Sequence, residues 1–494
     1  MRTDAHWKKI GKRPHHGICL PLFAIRTKKG CGIGEFLDLI PLIEWCKSVG
    51  FDCLQLLPLN DSGSDPSPYN PLSSVALDPI YLSLRDLPHA TIDFDVFVPY
   101  NEMSRLARYE VKTLKLKWLR SYFDQVFSSV ASSPAYQTFL KENLWLTEYS
   151  RFMALKEASQ GKAWQDWPKN LQADPSDINF HHFLQFLCFA QFKKVLAFAS
   201  DRSILLIGDV PILLSPDSAD VWAHPSLFEL DLAAGAPPDK YNSQGQNWGF
   251  PLFDWDAMRK SGYDWWKQRL FNLAKLYHIY RIDHVVGFFR IWAIAHGKKT
   301  SEGSFIPSDP HLWLAQGRSI LEMMIDASPL LPIAEDLGTI PPEVYPALKD
   351  LGVCGTKVLR WQGTTPYHQY EPFSMTTVST PDMEPLALWW QIYPEEAKAF
   401  AEWRNWPYEP TLAPEQLIEI LRDAHNTSSY FHVNLLDEYL SPFPDLRWPN
   451  PEDERINTPG TLIPDNWTFR FRPYLEELVQ HVPLVKTIRK ILQN

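Results

Sequence analysis

The feature that most constrains this chain is an alternation. Short apolar runs with strand character recur eight times, and segments with apolar residues at helical spacing lie between most of them. The first two runs are Gly17 to Phe23 and Cys53 to Leu59. The others begin at Ser203, His278, Leu330, Gly355, Met375 and Ser428. Stretches such as GEFLDLIPLIEWCKSVG, closed by Gly50, and PEQLIEILRDAHN carry the helical period. Alternation of this kind predicts a parallel sheet with crossover helices. Eight repeats fit an α/β (β/α)8 barrel, with a doubly wound open sheet as the alternative. Several runs end in a charged residue followed by a loop, as in IGD, RID, AED and TPD. That favours the barrel, whose reactive groups sit at the C-terminal ends of several strands.

The spacing of the runs is unequal. Between Leu59 and Ser203 the chain is far longer than a crossover requires. Helical stretches such as RLARYEVKTLKLKWLRSYFDQVF fill it. We expect one catalytic barrel over 1–494, with a mainly helical inserted subdomain at 86–185. Smaller insertions are expected at 212–258, as a substrate-covering loop region, and at 383–427. The chain contains 42 Pro against 22 Gly, which suits long stiffened loops.

Composition narrows the function. Hydrophobic residues make up 45% and charged residues 21%, which excludes a disordered chain, a collagen and a coiled coil. The net charge of −10 provides no basic footprint for nucleic acid and would be repelled by acidic lipid. The six cysteines form no CxxC and no tight cluster, as expected of a reduced, cytoplasmic protein. The basic N-terminus leads into GICLPLFAI, which is short, contains proline and lacks a cleavage site, so no signal peptide is expected. No apolar run approaches ~18 residues, so no membrane span is expected either. HExxH, EF-hand, GxxxxGK[ST] and GxGxxG patterns are missing, and neither a metal nor a nucleotide cofactor is implied. The 20 Trp suit either core packing or flat platforms for the apolar faces of sugar rings.

The acidic strand ends suggest chemistry. In YRIDHVVGF, positions 281 and 283 share a strand face, so Arg281 can meet Asp283 and hold it ionised, as a nucleophile requires. The bland reading is a strand-closing ion pair. Glu335 in AEDLG ends the next run. A retaining glycosidase needs two carboxyl groups about 5–5.5 Å apart, which neighbouring strand ends can supply. Asp209 in IGDVP and Asp382 in STPDME add two more carboxyls around one mouth. The segment GAPPDKYNSQGQNWGFPLFDWD is either a long surface loop or a lid. As a lid it would lay Tyr241, Trp248 and Phe250 over a ligand, with Asn242, Gln246 and Asn247 as hydroxyl partners.

These residues resemble the amylomaltases, also called 4-α-glucanotransferases or disproportionating enzymes. The resemblance runs over nearly the whole chain. It rests on SPYN (67–70), IGDVPI (207–212), DSADVWAHP (217–225), GAPPDKYNSQGQNWGFPL, RIDHVVGF (281–288), AEDLG (334–338), RINTPGT and NW (466–467). It implies a (β/α)8 barrel without a separate C-terminal β-domain. It also implies retaining transfer of an α-1,4-glucan segment to a glucose or glucan acceptor through a covalent intermediate. Asp283 would be the nucleophile, Glu335 the acid/base and Asp382 the third carboxylate. Tyr69, Asp209, Arg281 and His284 would line the cleaved subsite, Ser67 would bind substrate, Asn457 would bind sugar, and Gln246 and Trp248 would belong to the covering loop. The sequence departs from the family at STPDME, where GTHDND is usual, so Pro381 replaces a sugar-contacting His. The 61–66 loop lacks a tyrosine that many members carry. A hydrolase using the same carboxylates and a glucan-binding protein without turnover are the competing readings.

Overall fold

The structure is a computed structural model that describes residues 1–90, 92–238 and 243–493. Eight parallel strands form one sheet: β1 His15–Leu20, β2 Cys53–Leu56, β3 Leu205–Val210, β4 Ile279–Ile282, β5 Leu331–Ala334, β6 Gly355–Val358, β7 Ser374–Thr377 and β8 Phe431–Leu435. Their order is β5-β4-β3-β2-β1-β8-β7-β6. The two ends meet. Ile333 bridges Cys354 in parallel, and the Ala334 N–H donates to the Cys354 carbonyl at 2.7 Å. The sheet is therefore a closed barrel, and the open-sheet alternative falls away. Every residue of β2, β4, β5, β7 and β8 is buried. That is why these strands read as continuous apolar runs and not as alternating ones.

Helices cover the outside. Leu39–Val49 follows β1, Pro175–Asp201 precedes β3, Asp264–Leu273 precedes β4, and Trp313–Ala327 precedes β5. Val344–Leu351 and Pro414–His425 precede β6 and β8, while only short 3-10 turns, Leu359–Trp361 and Tyr367–Gln369, join β6 to β7. Strand limits follow the punctuation. Pro21 closes β1 before the 3-10 turn Leu22–Ala24, so the first strand ends earlier than its apolar run. After β8 the run turns directly into the helix Leu436–Leu440.

Between β2 and β3 lie the helices Val98–Glu102, Arg108–Ala131, Pro134–Glu142 and Leu146–Ala158. Buried ion pairs tie this group to the barrel: Lys115 to Glu35 at 2.5 Å, and Arg108 and Lys112 to Asp78 at 2.5 and 2.9 Å. Between β3 and β4, and again between β4 and β5, the chain builds small antiparallel pieces. Leu232–Ala236 pairs with Gln246–Asn247 on one side and Ile291–Ala295 on the other, and Ser304–Ile306 completes a four-stranded sheet. Pro175–Asp201 is the one described helix long and apolar enough to cross a membrane. Phe183, Leu184, Cys188 and Phe192 bury it in the core instead.

Candidate active site

Strand register builds the site. Asp209 on β3 is the partner of Arg281 on β4, and Arg281 is the partner of Ile333 on β5. Two residues further along each strand direction, alternation returns the side chain to the same face. Asp283 and Glu335 therefore emerge side by side at the barrel mouth, on strands that pair about 4.7–4.9 Å apart. The segments beyond the strands stay joined: the Asp283 N–H donates to the Val210 carbonyl at 3.2 Å, and the Glu335 N–H to the Ile282 carbonyl at 2.9 Å.

His284 fixes the Glu335 carboxylate. Its backbone is left-handed, with φ 47°, a strained state for a residue with a Cβ. That turn aims the His284 N–H at Glu335 Oε2, 2.9 Å away, while the Leu337 N–H donates to Oε1 at 2.7 Å. The His284 imidazole is half-buried at the cleft wall, and its loss of solvent lowers its pKa to about 4 and keeps it neutral. It meets Trp248 edge to face at 5.0 Å.

Arg281 lies one layer below. Its Nη1 donates to both Asp209 oxygens, at 2.7 and 2.8 Å, and reaches Asp283 Oδ1 at 3.1 Å. The Tyr69 hydroxyl donates to Asp209 Oδ2 at 2.7 Å. The sequence predicts an Asp283 held ionised by Arg281, and the balance differs. Burial raises its pKa well above the usual carboxylate value, and Asp209 and Glu335 add to the rise against the pull of Arg281. Burial is the larger influence, and Arg281 directs two of its three contacts to Asp209. Burial also raises Glu335, against Arg281 and its two backbone donors, and raises Asp382. The mouth therefore retains protons that free carboxyls would have lost.

Asp382 lies in the loop after β7. Its Oδ1 accepts from Asn457 Nδ2 at 2.6 Å. A second link joins the same two loops: Arg455 Nη2 donates to Glu384 Oε1 at 2.9 Å, and Arg455 Nε to the Asn457 carbonyl at 3.2 Å. Arg360 also lies 3.5 Å from Glu384. Glu384 is thus bound to two arginines. Pro381 faces the small void beneath the mouth, with Tyr69, Asp209 and Arg281.

The covering segment is a hairpin. The Trp248 N–H donates to the Ala234 carbonyl at 2.9 Å, and the Ala234 N–H to the Phe250 carbonyl at 2.7 Å. Gln246 Oε1 accepts from the Trp248 indole at 3.0 Å. Tyr241 and Asn242 lie outside the described residues.

Together these parts enclose a cleft of about 270 Å³. Tyr69, Gln246, Trp248, Asp283, His284, Glu335, Asp382 and Asn457 all line it. Asp209 and Arg281 sit under its floor. Ser67 does not line it; its hydroxyl accepts the Tyr69 N–H at 3.3 Å and shapes the turn that presents Tyr69. Pro211 to Leu213, Pro459, Gly460 and Trp467 also line the cleft without having been singled out. Trp467, at φ 61°, packs on Tyr69 at 5.5 Å. Its only sequence signal is the NW dipeptide. Among the described residues, the side-chain groups able to hold a metal are His16, His425, His432 and His15, Asp52, Cys53; neither is in the cleft.

A closed parallel barrel with carboxyls at neighbouring strand ends and aromatic walls around one cleft is the arrangement of carbohydrate-active barrel enzymes. The chain matches the family described as 4-alpha-glucanotransferase over residues 20–476, and it belongs to that family. It is 44% identical over 515 residues to a 4-alpha-glucanotransferase of Chlamydia pneumoniae, covering 99% of this chain and 97% of that one. A 4-alpha-glucanotransferase of Aquifex aeolicus is 28% identical over 96% of this chain and 98% of its own. In fold, the chain is similar to the amylomaltase from Streptococcus agalactiae in complex with acarbose. The TM-score is 0.83 at 24% identity, over 97% of this chain and 99% of that one.

Proposed function

We propose that this 4-α-glucanotransferase moves an α-1,4-glucan segment by double displacement, with Asp283 as nucleophile and Glu335 as acid/base. The observation that supports the assignment is the register that brings these two carboxyls to the ends of neighbouring strands, where the short separation a retaining mechanism needs can be reached. Arg281 touches Asp283 and not Glu335, so a cation lies directly against the carboxylate that would attack. In the reactive form Glu335 carries the proton that assists the leaving group. In the first step Glu335 gives that proton to the glycosidic oxygen while an Asp283 oxygen bonds to C1. The C1–oxygen bond breaks and the shortened glucan leaves. In the second step Glu335 takes the proton from an acceptor hydroxyl, which bonds to C1 as the ester to Asp283 breaks. One linkage is lost and one is made.

Asp382, held by Asn457, supports the distorted sugar, and Tyr69 and His284 shape its subsite. Trp248, Gln246 and Phe250 cover the ring, and their exclusion of water favours a sugar acceptor. The six cysteines are all free and buried, which supports action in a reducing, cytoplasmic compartment.

Chromatography of maltotriose after incubation tests the proposal. A ladder of longer products is expected; glucose and maltose alone would mean hydrolysis, and no change would mean a binding protein. Trp248→Ala should weaken glucan binding and raise the ratio of hydrolysis to transfer. An unchanged ratio in a folded variant would reduce Trp248 to packing.

A further inference from the structure

At the end of the barrel opposite the cleft, three histidines from three elements converge. His16 on β1 and His432 on β8 are register partners, and His425 closes the helix Pro414–His425. Their ring centroids stand 4.8 Å (His16–His432), 5.0 Å (His16–His425) and 5.9 Å (His425–His432) apart. Three imidazoles on one tetrahedral ion, with metal–nitrogen bonds of about 2.0–2.1 Å, place their centroids about 5–5.5 Å apart. One nitrogen from each ring lies within 4.8 Å of the other two.

The hydrogen bonds point the same way. His432 is fully buried, with Thr427's carbonyl and hydroxyl each 3.1 Å from Nε2. Its Nδ1 has no hydrogen-bond partner. The carbonyls of Thr427 and His15 lie against this ring. His425 is 4% exposed, and its Nε2 meets the Tyr439 hydroxyl at 2.5 Å, a hydroxyl that also accepts from Asn434 at 3.0 Å. Ligating histidines are oriented in this manner, with the outer ring nitrogen committed to a carbonyl or hydroxyl. The two inner nitrogens of His16 and His425 face each other at 2.8 Å, a contact that needs one proton between them.

We propose that His16, His425 and His432 form a binding site for a divalent late first-row metal ion, with zinc best matched in geometry. Three imidazoles hold the ion and solvent takes the fourth position on the half-exposed His16 side. Binding replaces the His16–His425 proton, which moves to an outer ring nitrogen or to solvent. The ion would clasp the first strand of the barrel to the last.

The test uses the full-length protein, stripped with chelator and titrated with Zn²⁺ or Co²⁺. One equivalent should remain after gel filtration, Co²⁺ should develop a tetrahedral visible band, and Tm should rise about 2–3 °C at a hundredfold excess over Kd. His432→Gln and His16→Gln should lose the ion, the band and the Tm rise. His311→Gln, on the exposed surface, should keep all three. His16→Gln decides the matter if His432→Gln fails to fold. The proposal is overturned if the wild type, stripped and then titrated, retains no ion after gel filtration, or if His16→Gln binds with unchanged stoichiometry and Tm.

Discussion

Burial and acidic neighbours lift the Asp283 pKa, so the folded chain holds its proton to higher pH than the unfolded chain does. As pH rises past the unfolded value of about 3.9, the unfolded state releases that proton first and native stability falls. Asp283→Asn removes this cost. The variant should melt above wild type at pH 7, with the gain shrinking as pH drops toward 4. The same variant should lose several orders of magnitude in transfer, because covalent catalysis is removed outright. Retention of more than a few per cent of activity would contradict the nucleophile assignment. Glu335→Gln should cripple transfer from maltotriose but spare the first step on glycosyl fluorides, whose leaving group needs no proton. Equal losses on both donors would show that Glu335 does something else.

At the scale of elements, the site depends on two loops held to each other. Asn457 holds Asp382, and the Arg455–Glu384 pair repeats the link a few residues away. Glu384→Gln weakens that link without touching the cleft. It should lower kcat about tenfold on maltotriose with KM little changed, because a small misplacement of Asp382 matters most in the transition state. A fall carried entirely by KM would mean the link serves binding. The family motif has Asn and Asp where this chain has Met383 and Glu384, and nothing in the sequence says that Glu384 would reach Arg455 and Arg360.

Legibility followed the same logic. Strands such as LLIGDV and LPIA could be read because they are buried apolar runs, while GTKV and SMTT were marked by the helix or proline-rich loop beside them. Asp283 and Glu335 could be read because each follows such a run directly, whereas Asp382 lies in the loop beyond β7. The small sheet under the hairpin could not: LAAGA has no β-branched residue, and its partner is the two-residue strand Gln246–Asn247. The histidine triad left no spacing signal, since His16 and His425 are 409 positions apart.

For the whole molecule, the first helix acts as a plug. Asp4–Ile10 lays Trp7, 1% exposed, among Phe373, Tyr430 and Phe431 at the N-terminal end of the barrel. The Trp7 indole donates to the Gly352 carbonyl at 2.9 Å, and the Thr3 hydroxyl to the Leu351 carbonyl at 2.8 Å. Truncating a buried aromatic costs about 3–5 kcal/mol. In a chain this long, Trp7→Ala should therefore lower Tm by about 3–5 °C and leave the kcat of the surviving enzyme intact. An unchanged Tm would mean the plug contributes nothing to cohesion.

The closing seam has a consequence for how the chain is made. His15 pairs beside Phe431, so β1 leaves the ribosome with one of its two neighbours still unwritten. At about 5–20 residues per second, roughly 20–80 s pass before that neighbour is synthesised. During that interval the nascent chain carries an unpaired strand edge, open to pairing with another chain. Synthesis of β8, and not of any earlier strand, closes that edge.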